Sequence, residues 1–99
     1  NLKQIYSSGF IEELKFDYSN PTIVLFGSYM RGEDIETSDI DFFIEILDKK
    51  EINLEKYEKI LKRKIQIFKF KNFVSISNKD LANNISNGIV LNGFLKVIK

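Results

Sequence analysis

Ninety-nine residues, 43% of them hydrophobic and 29% charged, set the scale of one soluble globular domain with a single core. Fifteen basic residues against fourteen acidic ones leave a net charge of +1, which gives no case for a nucleic-acid binder driven by bulk charge. With no cysteine and no histidine, disulfides, thiolate or imidazole metal sites and Ser–His or Cys–His catalysis are excluded, so any metal must be held by oxygen.

Leu2, Ile5, Tyr6, Phe10 and Leu14 follow a helical spacing, weakened in the middle by Gly9. Asp17 to Pro21 is a loop, and its proline, the only one in the chain, stops any helix before it. Thr22 to Phe26 is a continuous apolar, β-branched run, the mark of a buried strand. Gly27-Ser28 then turns the chain into a short helix ending near Gly32, and Glu33 to Ser38 reads as a polar loop. From Asp39 to Leu47 the pattern alternates: Ile40, Phe42, Ile44 and Ile46 point one way, and Asp39, Asp41, Phe43 and Glu45 the other. Leu54, Tyr57, Ile60 and Leu61 mark one face of a helix, and Lys64 to Lys71 reads as a third strand. Leu81, Ile85 and Ile89 give a last amphipathic helix, with Asn78 as N-cap and Asp80 in its first turn. The expectation is one α/β (α+β) domain over residues 1–99, a small mixed sheet of three to four strands with helices on one face. No run approaches the roughly twenty apolar residues of a membrane span. Asn1 to Gln4 lacks the layout of a signal peptide, so a cytoplasmic protein is expected.

Residues two apart on a strand share a side, so Asp39 and Asp41 can converge on one cation. Two carboxylates on one face repel unless a cation lies between them. Magnesium suits such a site, because it takes one or two protein carboxylates together with phosphate oxygens of a substrate. An Asp-x-Asp alone reads first as a solvated strand edge or a loop cap. Gly27-Ser28 adds to it: a glycine at a strand-to-helix turn lets the backbone approach a ligand closely, and the following helix offers free N–H groups and the Ser28 hydroxyl to a phosphate. Four such fixed positions match by chance in about one chain of this length in a thousand. Arg31 is placed either to reach phosphate oxygens with its planar fork or to pack the short helix.

Gly27-Ser28-Tyr29-Met30-Arg31-Gly32 and Ser38-Asp39-Ile40-Asp41-Phe42-Phe43-Ile44 resemble the signature of the minimal nucleotidyltransferases (MNT), compact members of the DNA polymerase β and kanamycin nucleotidyltransferase superfamily. The order and length of the elements resemble that family over nearly the whole chain. The resemblance implies a polymerase β-like nucleotidyltransferase fold, with a nucleoside triphosphate bound at Gly27, Ser28 and Arg31 and magnesium held by Asp39 and Asp41. It implies transfer of AMP from ATP to a hydroxyl of a protein or small molecule. It also implies an antitoxin role beside a helical HEPN-domain toxin.

The family's third carboxylate, which helps deprotonate the acceptor hydroxyl, falls where Gln66 stands. Glutamine can coordinate or hydrogen-bond, but it is neither base nor anion. A catalytic set of Asp39, Asp41 and Gln66 is therefore one charge short, and of two possible magnesium ions the second is expected to be held poorly. Glu45 lies roughly 13 Å along the strand from Asp41, too far to replace it, and Asp80 is explained by its helix start. The alternative function is an antitoxin subunit, impaired in catalysis, that acts by binding nucleotide or partner. Lys62, Arg63, Lys64, Lys69 and Lys71 form a basic stretch, read as a solvated face or as attraction for a triphosphate. Phe43, Phe68 and Phe70 fall on the face of the aspartates. Either a helical partner or another protomer covers them, or loops and the segment Asn92 to Lys99 pack there locally.

Overall fold

A computed structural model of the chain describes residues 2–32, 38–48 and 50–95. The elements run α1 (Leu2–Ser7), α2 (Phe10–Asp17), β1 (Thr22–Phe26), α3 (Gly27–Met30), β2 (Ile40–Glu45), α4 (Glu55–Leu61), β3 (Ile65–Phe70), a 3-10 turn (Phe73–Ser75), α5 (Lys79–Ser86) and β4 (Ile89–Asn92). The four strands form one sheet in the order β3-β2-β1-β4. β1 pairs antiparallel with both β2 and β4, while β2 and β3 are parallel. The sheet is mixed, and the fold class is the expected one.

The alternation of β2 decides what each face meets. Ile40, Phe42 and Ile44 join Ile23, Leu25 and Ile65 beneath α1, α2 and α4, which contribute Ile5, Phe10, Ile11, Leu14 and Tyr57. Phe10 anchors this layer, its ring 5.2 Å from Phe42 and 5.0 Å from Tyr57. Dispersion and burial of these large side chains fix the three helices on that face.

Three details depart from the sequence pattern. The first helix is two: Gly9, at φ 86, breaks it, because only glycine takes that left-handed conformation without strain. The helix expected through Ile89 stops at Ser86, and the β-branched Ile89-Val90 leads β4 instead. Helices also do not keep to one face. Leu81, Ala82 and Ile85 of α5 pack on the opposite side with Val24, Phe26, Phe43 and Ile76, joined by Phe68, Phe70, Phe73 and Leu95. The cause is the aromatic content of that second face, which offers α5 an apolar surface to bury. The Asn78 side chain does cap α5 as expected, accepting from the Leu81 N–H at 3.1 Å. The Glu33–Thr37 part of the expected polar loop and the last four residues lie outside the described residues.

Candidate active site

β1 ends at Phe26, and α3 begins at the next residue. Gly27 makes that turn at φ 84, a conformation L side chains rarely adopt. A second constraint acts at the same residue. A Cβ on Gly27 would collide with the carboxylate Oδ2 of Asp41 and lie 3.3 Å from its Cγ. The backbone at the start of α3 is therefore pressed against the Asp41 carboxylate.

Register explains the closeness. Phe26 is the Cα partner of Asp41 across the antiparallel β1–β2 ladder, and Asp41 is the partner of Gln66 across the parallel β2–β3 ladder. One row across three strands thus carries the Gly-Ser turn, Asp41 and Gln66 on the same face. Asp39 lies two residues before Asp41, just before β2 begins, and is exposed. Gln66 is exposed beside Asp41. Sequence phase predicts the face that Asp39, Asp41 and Gln66 share, whereas the pairing of Asp41 with Phe26 and Gln66 is set by the register.

The electrostatics are those of a carboxylate short of partners. Asp41 is half-buried, and its Oδ1 is buried with no hydrogen-bond partner among the described residues. An orphaned buried carboxylate oxygen is costly. Its pKa is raised above the ordinary 3.8, first by desolvation and then by the negative charge of Asp39, against the lowering effect of the Arg31 guanidinium. Arg31 itself is exposed at the end of α3, and its N–H donates to Gly27 O at 3.1 Å. An all-oxygen donor pair, one oxygen buried and unsatisfied, fits a hard divalent cation. Among the described residues no group of three or more acidic residues is placed to hold a metal. Asp39 and Asp41 are the fitting pair, and Gln66 opposite Asp41 adds no charge to it.

Neither other acidic candidate joins this row. Glu45 sits at the far end of β2 opposite Thr22 and Phe70, lining a hollow with Asp17, Tyr18, Asp48 and Lys71. Asp80 is exposed in the first turn of α5.

One set of contacts beside the site, made by Arg63, was not legible in the sequence. Arg63 lies with its guanidinium over the Tyr29 ring, 5.1 Å from the centroid, and donates from Nη1 to Ser38 O at 3.2 Å. Its place in the run Lys62-Arg63-Lys64 reads as solvated charge, and no local spacing signals a contact with α3. Of the expected basic face, Lys62, Lys64 and Lys71 are exposed, whereas Arg63 is half-buried.

The chain matches the nucleotidyltransferase domain family over residues 7–88. Two proteins of Methanocaldococcus jannaschii, each named "Putative protein adenylyltransferase", are similar to it. One is 44% identical, over 57% of this chain and 71% of its own length. The other is 34% identical, over 78% of this chain and 81% of its own. No solved structure matches the chain significantly. The family match spans the Gly-Ser turn, both aspartates and Gln66. The chain belongs to the nucleotidyltransferase domain family.

Proposed function

We propose that this nucleotidyltransferase moves AMP from ATP to a hydroxyl of a protein or small molecule, and that Asp39 and Asp41 would hold the magnesium that the reaction uses. The observation that carries the reading is the Asp41 carboxylate, whose Oδ1 is buried without a hydrogen-bond partner among the described residues and whose Oδ2 lies against Gly27. The names of the two M. jannaschii relatives support protein as the acceptor and AMP as the group. In the reaction an acceptor oxygen bonds to the α-phosphorus, the bond from that phosphorus to the bridging oxygen breaks, and pyrophosphate leaves. The metal, when bound, neutralises charge along that in-line path. Gly27 lets backbone N–H groups reach the phosphates, while Ser28 and Arg31 supply a hydroxyl and a positive fork. The acceptor's proton has no protein base at Gln66 and passes to water or to a group brought by the partner.

The family resemblance extends the proposal to an antitoxin role in the cytoplasm, with a HEPN-domain protein or a second copy of the chain as partner. Gln66 favours a second reading, a domain that binds nucleotide or partner with little turnover. Among the described residues no helix is long and apolar enough to cross a membrane.

Calorimetry with ATP and magnesium on wild type and Asp41→Asn tests the site. Metal-dependent binding in the first and its loss in the second are expected. Equal affinities would overturn it. A turnover assay with the partner then separates the transferase from the contact-only antitoxin.

A further inference from the structure

We infer that Arg63 is a positioning residue that locks the triphosphate-binding turn to the metal-binding strand. The inference rests on the nucleotide-site reading above. Tyr29 directly follows Ser28, and Ser38 directly precedes Asp39. One guanidinium touches both: it covers the Tyr29 ring at 5.1 Å and donates to Ser38 O at 3.2 Å. Catalysis needs the phosphate contacts and the cation ligands at a fixed separation, and Arg63 bridges the residues next to each.

The helix it steadies needs such support. α3 has four residues and no side-chain cap at its start. Helices this short do not hold themselves in water, so their direction comes from tertiary contact. Packing of Tyr29 and Met30 on the core supplies part of it. Arg63 adds a directional tie to the backbone entering β2.

Arg63 is itself well anchored. Lys62 ends α4 in the left-handed conformation at φ 58. The Arg63 N–H then donates to Glu58 O at 3.3 Å, and the Glu58 carboxylate accepts from Ile65 N at 2.8 Å. Lys64 O accepts from Ile40 N at 2.9 Å, binding this turn to the start of β2. Lys62 and Lys64 stay exposed while Arg63 is drawn inward. Arginine is the residue that can do both jobs together, because its flat face stacks while its edge donates. Lysine keeps the charge and one contact at a time.

The test compares wild type, Arg63→Gln and Arg63→Lys by three readouts: calorimetry with ATP and magnesium, thermal midpoint, and amide hydrogen exchange. Arg63→Gln should weaken magnesium-dependent ATP binding on the order of tenfold, the size typical of losing an outer contact to a metal site. Arg63→Lys should recover part of it. Exchange should quicken at Ser28 to Arg31 and at Asp39 to Asp41 while α5 keeps its wild-type protection. Wild-type affinity and exchange in Arg63→Gln would overturn the inference. So would acceleration that extends equally to α5, with an affinity loss matched by Ile85→Val, a core variant far from Arg63 in sequence. If wild type itself binds no ATP with magnesium, the nucleotide reading fails. The exchange pattern still decides the tie: local quickening in Arg63→Gln upholds it, and unchanged rates refute it.

Discussion

Gly27 is pressed so closely on Asp41 that the smallest side chain at residue 27 would strike Oδ2 of the aspartate. The same glycine sits at φ 84. Gly27→Ala therefore meets two penalties, backbone strain and a collision with a group of the site. Strain of this kind costs about 1–3 kcal/mol. We expect a stability loss of that order in urea titration, together with loss of magnesium-dependent nucleotide binding by calorimetry. Gly9→Ala is the control. Gly9 has a similar φ of 86, yet among the described residues nothing lies within 4 Å of its added Cβ. It should lose comparable stability and keep its nucleotide affinity. Equal effects of both variants on binding would remove the special role of the Gly27–Asp41 contact.

Phe43 carries a second prediction. The aromatic side of the sheet reads from sequence either as a surface covered by a partner or as one packed locally by loops and the C-terminal segment. In the fold Phe43 is 0% exposed, stacked on Phe70 at 6.2 Å and met edge-on by Phe73 at 6.5 Å, with Ile85 of α5 in the same cluster. Local packing thus explains most of that face, and these aromatics no longer argue for a partner there. Phe43→Ala should behave as a core truncation, costing about 3–5 kcal/mol in denaturant unfolding. A loss under about 1 kcal/mol, the range of a surface change, would mean that α5 does not seal the face.

How far the sequence reached follows from which features are local. The Asp39–Asp41 side, the inward row of Ile40, Phe42 and Ile44, and the turn at Gly27 all follow from a strand period of two and from the stereochemistry of glycine. That Gln66 shares the face of Asp41 follows from the same period, but that it stands opposite Asp41 does not, because a two-residue shift of the parallel ladder keeps the phase. The side on which α5 packs was hidden, because an amphipathic helix declares that it has an apolar face but not which layer will receive it. Ile89 fits the helical spacing of Leu81 and Ile85 as well as it fits a short strand, and four residues are too few for periodicity to choose. The tie from Arg63 to Tyr29 and Ser38 is tertiary, between residues far apart in the chain, and leaves no local trace.

Gln66 yields a third prediction. It stands opposite Asp41 on β3 and is exposed, so a carboxylate there would meet both the cation and an arriving hydroxyl with little repacking. General-base assistance is worth about 10²–10⁴-fold in rate. Gln66→Asp should raise turnover at saturating ATP and magnesium by at least about tenfold, discounted for imperfect geometry. Affinity for nucleotide should change much less. Measured with and without the partner, the gain shows who supplies the base: a gain confined to the isolated domain assigns it to the partner. A fully active wild-type domain, unimproved or damaged by the substitution, would defeat the idea and move the base role to another residue.

The last prediction concerns pH and Asp41. Burial and the neighbouring Asp39 charge raise its pKa above 3.8 in the folded chain, with Arg31 opposing. The folded state therefore holds this proton more tightly than the unfolded state does. Stability from this group is full below pH 3.8 and is lost as pH rises through the raised folded value. Above that window the metal-free protein carries an ionised, partly desolvated carboxylate with an unpartnered oxygen. Asp41→Asn removes that charge, so its thermal midpoint, measured in chelator, should exceed that of wild type at neutral pH and converge with it in acid. A divalent cation reverses the sign, because it favours the ionised form. Magnesium with ATP should raise the wild-type midpoint and leave Asp41→Asn nearly unmoved, and the magnesium needed for half-saturation should climb as pH falls through the Asp41 titration. Parallel midpoint curves for the two proteins across the whole range, with and without magnesium, would show that Asp41 is neither strained in the free domain nor relieved by a cation.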